Sequence, residues 1–399
     1  MNQSIAGKLA WLLATLFVVY AFCLNTAAVV FSATIKTSLN LSSIQVTFAI
    51  GAFIAGFALM QIPAGYLLDK FNAKFVVSSG VLLLALGNIL ISFSDTLTEF
   101  SLANFLQGVG ASFSFIAAGI LISQWFSVKL FPILFGLTQT ISCVFAGIIH
   151  YLFVTELKTH TWNDIYRCLF LFGLILLVFI LLFLKSPPQD KNNKKVSLKE
   201  SLGMVCKNSQ VWLCSIAAAT SFGILLAYAG FWYMSIQQHY QVSLDNAFII
   251  SGLIFAGIGI GTPYWGWISN RYQSRKMILH ITLVLGTMAL LLGIYLPHYY
   301  IQSLIIIKTV SFFIGFFLSG SMLFYTVVSE LSTDNTRGVA LSVLNTAIFI
   351  TNTIMMFTPL IFITLISTTF FTYLWILPFC TLISVLLVYF VRETFQKEL

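Results

Sequence analysis

Long continuous runs of apolar residues, separated by short polar clusters, fill this chain from end to end. Cys168 to Leu184 and Leu279 to Leu296 are examples. Neither alternates apolar with polar residues, as a strand of a membrane barrel does. Both approach the roughly 20 residues that an α-helix needs to cross a bilayer. The runs predict twelve membrane helices, at 8–33, 44–68, 74–94, 98–123, 131–154, 165–185, 210–236, 246–269, 276–296, 301–328, 338–365 and 370–391. The longest polar stretch, KSPPQDKNNKKVSLKESLGMVCKN, runs from Lys185 to Asn208. It parts an N-terminal six-helix bundle (1–185) from a C-terminal one (209–399), with 186–208 as a cytoplasmic linker. The expected class is an all-α integral membrane protein of twelve transmembrane helices in two pseudo-symmetric six-helix bundles.

Composition agrees with lipid as the main solvent. Hydrophobic residues make up 59% and charged ones 8%, against about 25% charged in a soluble protein. This excludes an ordinary soluble enzyme, and the apolar content excludes disorder. A net charge of +8 would direct a soluble chain toward nucleic acid. Here the basic residues sit in short loops, where they set topology, so no nucleic-acid partner is expected. With the N-terminus in the cytoplasm, 16 of the 20 Lys and Arg fall on that side. Lys36, Lys158 and Arg167 fall outside, and Lys308 falls within a span. That asymmetry places both termini of a multi-pass membrane protein in the cytoplasm; the expected location is the bacterial inner membrane. The six cysteines form no CxxC pair, so no disulfide, metal or cofactor is expected. The first apolar run, Leu9 to Phe31, is too long for the core of a signal peptide.

The two halves repeat each other. GYLLDKFNAK at 65–74 and GWISNRYQSR at 266–275 lie 201 residues apart, each between the second and third spans of its half. Gly65 pairs with Gly266, Asp69 with Asn270, Lys70 with Arg271 and Lys74 with Arg275; upstream, Gly51 and Gly56 pair with Gly252 and Gly257. Such parallel repeats are related by an axis along the membrane normal. GYLLDKFNAK resembles the signature loop of the major facilitator superfamily, G-x-L-a-D-r-x-G-r-k, and the resemblance extends over the whole chain. It implies a secondary transporter in which this loop latches the cytoplasmic gate, with the Asp near a helix end of the other half. The implied gating residues are Gly65, Asp69, Lys70 and Lys74, with Gly266, Asn270, Arg271 and Arg275 in the second copy. Asn72 stands where the family has Gly, and a left-handed turn there is expected to survive because Asn tolerates that conformation. The alternative for this loop is a solvated turn that only fixes topology.

All twelve acidic residues can be placed outside the spans, so no intramembrane carboxylate offers itself as a proton relay. Span four reads NFLQGVGAS and resembles the family's R-x-x-q-G-x-g-a-a motif, with Asn104 in place of the Arg often tied to proton coupling. Lys308, read as lying at the equivalent depth in the second half, either supplies a positive charge to a solute or snorkels to the outer surface. The isolated amides Asn25, Gln107, Gln139 and Asn345 either bind solute or join helices; Asn88 reads as structural. Tyr228 and Trp232, four apart, share one face of span seven and are placed to cap a cavity. His150 is the candidate protonation site, being the deepest histidine in a span.

The expected substrate-binding set is therefore Asn25, Asn104, Gln107, Gln139, Tyr228, Trp232, Lys308 and Asn345. The expected function is secondary active or facilitative uptake of a small carboxylate-bearing solute, an amino acid or small peptide, by alternating access. Faint similarity to bacterial relatives of lysosomal dipeptide transporters, and to nutrient permeases of intracellular bacteria, underlies that choice. A siderophore or other organic anion, or efflux of drugs or metabolites, is the alternative. The missing G-P motif in span five weighs against drug export. A membrane enzyme or a sensor of the same fold is remote. A monomer coupled to a proton, to sodium or to no ion is expected.

Overall fold

The computed structural model describes residues 3–185, 197–299, 303–361 and 373–395. Among them, eleven helices are long and apolar enough to cross a membrane, and a shorter apolar helix, Ile376–Val388, follows. The first half contains α1 (Gln3–Val30), α2 (Ser43–Lys70), α3 (Ala73–Ser92), α4 (Leu97–Trp125), α5 (Phe131–Glu156) and α6 (Trp162–Phe183). The second contains α7 (Ser209–Ala218), α8 (Leu244–Arg271), α9 (Arg275–Tyr299), α10 (Leu304–Leu318), α11 (Arg337–Ile361) and α12 (Ile376–Val388). Much of the span expected at 370–391 coincides with α12; residues 362–372 lie outside the described ones.

Two expected continuous spans are interrupted. The seventh passes from α7 through a π turn at Ala219–Gly223, a short helix at Ile224–Ala227, a second π turn at Tyr228–Trp232 and a last piece at Tyr233–His239. Such π turns are uncommon and cluster at functional sites. The tenth continues from α10 through a 3₁₀ turn at Ser319–Met322 into Leu323–Leu331.

The chain forms two compact units that are not simple halves. The first comprises Met1–Ser127, Ile141–Met204 and Thr333–Ser342; the second Val128–Thr140, Val205–Ser332 and Val343–Leu399. Each unit thus includes the first turns of one helix, α11 or α5, whose remainder belongs to the other.

In the first unit α4 lies at the centre. Its Gly108 abuts α2, where a Cβ would come within 2.0 Å of the Phe53 carbonyl oxygen; Gly56 on α2 abuts α4 at the Phe105 carbonyl, 2.2 Å away. Small residues let two membrane helices approach this closely. The second unit repeats the device: Gly315 on α10 meets the Ile254 carbonyl at 2.0 Å, and Gly257 on α8 meets that of Phe312 at 2.2 Å. These crossings set the register of the repeat. Gly108 corresponds to Gly315, so Asn104 corresponds to Ser311, which is buried. Lys308 corresponds to Ser101 and lies about one turn away from the depth expected for it.

The loop after α2 also departs from expectation. Asn72 has φ −59° and ψ 121°, and its side chain caps α3 by accepting from the Lys74 amide. The left-handed conformation occurs instead at the repeat-equivalent position of the second copy, Gln273, with φ 52°.

Candidate functional site

The second helix of the first half ends on the first turn of α11, within the first unit. Asp69 Oδ1 accepts from the Gly338 amide at 2.7 Å and Oδ2 from the Val339 amide at 3.0 Å. These are the second and third residues of α11, whose N–H groups have no partner inside the helix. A carboxylate here satisfies two orphan donors and meets the positive end of the helix dipole. One helical turn back, a Cβ on Gly65 would stand 2.3 Å from the Gly338 carbonyl oxygen. The two helices can therefore touch only because both residues are Gly. Arg337, which precedes Gly338, donates to Asp334 at 2.7 Å and to Ser123 Oγ at 3.4 Å. Lys70 turns away from the carboxylate and donates to the Tyr66 hydroxyl at 2.8 Å. Lys74 is half-buried at the start of α3.

The second copy builds a related contact with different chemistry. Gly266 abuts the start of α5, its Cβ position 2.8 Å from the Pro132 carbonyl oxygen. Asn270 stands in place of the carboxylate and donates from Nδ2 to the Lys129 carbonyl at 2.6 Å. Its oxygen accepts from Arg275 at 2.7 Å. Arg275 is wholly buried. It also donates to Ser269 Oγ at 2.6 Å and pairs with Glu330 at 3.1 Å. Glu393, beyond α12, accepts from the Arg275 amide at 2.9 Å, the Lys276 amide at 3.2 Å and the Ser274 hydroxyl. Burial works to raise the Glu393 carboxyl, but these donors and the Phe395 amide outweigh it and hold it below the ordinary glutamate value. Arg271 is exposed, over the Trp267 ring at 5.7 Å.

The amides separate by surroundings. Asn25 on α1 is exposed. Asn104, Gln107, Gln139 and Asn345 are buried. Asn104 donates to the Phe100 carbonyl of its own helix at 2.8 Å. Gln107 donates to Asn88 Oδ1 at 2.7 Å, and Asn88 donates to the Tyr20 hydroxyl at 2.6 Å, which joins α4, α3 and α1. Asn345 on α11 accepts from the Tyr325 hydroxyl, and the Tyr325 ring packs on Phe135 of α5 with centroids 5.1 Å apart. His150 is exposed, and Lys308 is half-buried in the second turn of α10.

The aromatic pair of span seven does not form an open stacking surface. Tyr228 and Trp232 flank the second π turn and are 0% and 1% exposed. Tyr228 lies against Gly293 of α9. Trp232 packs edge-on to Tyr373 at 5.8 Å and donates from its indole nitrogen to the Met355 carbonyl at 3.0 Å. In an α-helix that carbonyl would receive the N–H of residue 359, which is proline and has none. Trp232 therefore supplies the donor that α11 lacks.

Sequence reasoning did not single out Gly338, Tyr20, Tyr325, Glu330 or Glu393. Gly338 carried a signal, since it lies just after Arg337 at the start of span eleven. For the others the signal is tertiary. Among the described residues no three His, Cys, Asp or Glu side chains converge on a metal site.

Comparison with known proteins bears on this architecture. Multidrug resistance protein MdtL of Shewanella oneidensis is 24% identical over 257 residues, 61% of this chain and 62% of its own length. MdtL of Escherichia coli is 26% identical over 155 residues, 38% of this chain and 39% of its own. The chain thus spans less than two thirds of these relatives in the alignments. Among solved structures, FucP in its outward conformation superposes with TM-score 0.74 at 17% identity, covering 99% of this chain and 100% of that one. The proton:xylose symporter XylE, bound to 6-bromo-6-deoxy-D-glucose, gives TM-score 0.73 at 16% identity, covering 98% and 97%. Both share the fold. The family model described as Major Facilitator Superfamily matches residues 13–356, and with this fold and this repeated loop the chain belongs to that family.

Proposed function

We propose that this protein is a transporter that moves a small organic solute across the bacterial inner membrane by alternating access, with both termini in the cytoplasm. The observation that carries the reading is the two-pronged contact from Asp69 to Gly338 and Val339. Hydrogen bonds to a charged group contribute about 1.5–3 kcal/mol each. A contact of that size holds a helix end firmly and still breaks within a transport cycle. Asp69 serves as the latch and Gly65 as its backing, while Asn270 and Arg275 hold the corresponding end of α5.

The substrate reading is a carboxylate-bearing solute, an amino acid or small peptide, taken up toward the cytoplasm. Lys308 supports it as a half-buried ammonium on the otherwise uncharged α10. A second reading, export of lipophilic organic compounds, is favoured by the similarity to the multidrug resistance protein MdtL.

Counterflow in vesicles containing the purified protein tests both. Accumulation of labelled alanine or dialanine, lost in Lys308→Ala, supports the first substrate reading. Movement of ethidium with no movement of amino acid or dipeptide replaces it with the second. No flux of any probe, including a hexose, would overturn transport itself.

A further inference from the structure

Two side-chain carbonyl oxygens on α4 have their orientation fixed by hydrogen bonds, one through a chain that begins on another helix and one through a bond within α4. The Leu169 backbone carbonyl of α6 can only accept. It receives the Tyr20 hydroxyl proton at 2.8 Å, which uses the single hydrogen that hydroxyl owns. Tyr20 must then meet Asn88 as an acceptor, so Asn88 presents its NH2, at 2.6 Å. The Asn88 oxygen in turn faces Gln107, which must present its own NH2, at 2.7 Å. The Gln107 oxygen is left facing away, buried and without a hydrogen-bond partner. Turning that amide over would break the donor–acceptor match at Asn88. One turn earlier, Asn104 spends its NH2 on the Phe100 carbonyl, which likewise only accepts. Its oxygen is also buried without a partner.

Both residues are 0% exposed and, three apart, share a face of α4. The arrangement is built rather than incidental, because two close approaches permit it. A Cβ at Gly173 would lie 2.4 Å from the Tyr20 hydroxyl, and one at Gly87 would lie 2.4 Å from Gln107 Cγ. Buried acceptors left unmatched are destabilising, and native interiors rarely keep them.

We propose that Asn104 Oδ1 and Gln107 Oε1 form an acceptor pair inside the first unit that takes a neutral hydrogen-bond donor of the carried solute, an amide N–H or a hydroxyl. This rests on the transport reading and adds to it a polar subsite with a defined sign. A metal cation fits less well. The carboxylates on the packed helices are Glu99 at the first turn of α4, Asp164 at the first turn of α6 and Asp69 in the last turn of α2, which is held by the Gly338 and Val339 amides, with none on α1 or α3. Glu99 caps its own helix and Asp164 binds Thr161 and Arg167. A bare ion between two neutral amides would lose its hydration with no counter-charge.

The test is thermal stabilisation of the purified full chain by matched pairs: dialanine against its form with N–CH3 in place of the amide N–H, and a hexose against its fully O-methylated form. Sodium chloride against choline chloride is the third arm. At least one donor-bearing member is expected to bind about tenfold more tightly than its methylated partner. Gln107→Met and Asn104→Leu should remove that preference. Tyr20→Phe should reduce it toward unity although it lies outside the pair, because the Gln107 amide is then free to turn over. That change in preference is a readout that loss of packing alone does not move. Equal binding of both members of every pair overturns the proposal. So does stabilisation by sodium alone that disappears in Gln107→Met. Wild-type counterflow of dialanine or hexose with unchanged affinity in Gln107→Met overturns the acceptor pair and leaves transport standing; absence of wild-type flux overturns the transport reading instead.

Discussion

Gly65 and Gly338 press backbone against backbone: a Cβ on the first would stand 2.3 Å from the carbonyl oxygen of the second, and a Cβ on the second 2.4 Å from that of the first. Neither obstacle is a side chain that can swing aside. Gly65→Ala must therefore push the first turn of α11 away from α2, and with it the amides that Asp69 holds. Overpacking of this kind costs about 1–3 kcal/mol. A lower melting temperature and reduced flux are expected. Because both residues act on one contact, the double variant Gly65→Ala, Asp69→Asn should lose less than the sum of the two single losses. Strict additivity in a thermal-unfolding cycle would show that the glycine pair and the carboxylate act independently.

Reciprocal exchange of Asp69 and Asn270 separates their two chemistries. Asp69→Asn keeps one acceptor oxygen but turns an NH2 group toward a backbone donor, which loses its acceptor, so stability should fall by about 1–3 kcal/mol. Asn270→Asp replaces the donor to the Lys129 carbonyl with a carboxylate, placing two oxygens against each other. Arg275, which already donates to Asn270, offsets part of that loss. Both exchanges are expected to destabilise, with the loss from Asn270→Asp altered in an Arg275→Lys background and the loss from Asp69→Asn the same with Arg or Lys at 275. Melting temperatures of the parent, the two exchanges, Arg275→Lys alone and the two doubles decide this; an Asn270→Asp variant as stable as the parent would show that its contact with the start of α5 contributes nothing.

Acid should release the end of α9. Glu393 is held below the ordinary glutamate range by the Ser274 hydroxyl and three backbone amides, in spite of burial. A carboxyl whose pKa is lower folded than unfolded adds stability above the unfolded value, and that stability fades as pH falls through the folded value. The ordinary value is about 4.3. The melting-temperature difference between the parent and Glu393→Gln should thus be constant near neutrality and shrink as pH falls below about 4.3. A difference that stays the same down to pH 3.5 or grows would mean that the carboxylate charge does not matter there.

The elements legible in the sequence were those written in local pattern. Most span positions and the loop pairing Gly65 with Gly266 follow from hydropathy and from a repeat of 201 residues. The family followed from the same residues. Depth across the repeat was not legible: the loops repeat at an offset of 201, whereas Gly108 and Gly315 lie 207 apart. The loop offset alone therefore could not place Lys308. Asn72 and Gln273 exchange roles for a similar reason, because a side-chain cap on α3 removes the need for a left-handed residue in one copy only. Gln107 and Asn345 looked alike as isolated amides. Their partners, Asn88 and Tyr325, lie on other segments, and spacing along a helix does not reveal them.

The indole of Trp232 offers the sharpest separation of structural from ligand-facing aromatics. It donates to the Met355 carbonyl at 3.0 Å, at the point where Pro359 deprives α11 of a backbone donor. Trp232→Phe keeps an aromatic side chain and removes the N–H, leaving that carbonyl buried without its donor. A loss of about 1–3 kcal/mol is expected, read as a lower melting temperature with the affinity for any transported solute unchanged. Pro359→Ala restores an N–H to the helix, so in the Trp232→Phe background it should recover most of the loss. In the parent it should gain much less, since the carbonyl is already satisfied. If Trp232→Phe instead weakens solute binding while leaving the melting temperature intact, and Pro359→Ala recovers nothing, the tryptophan belongs to the solute path after all.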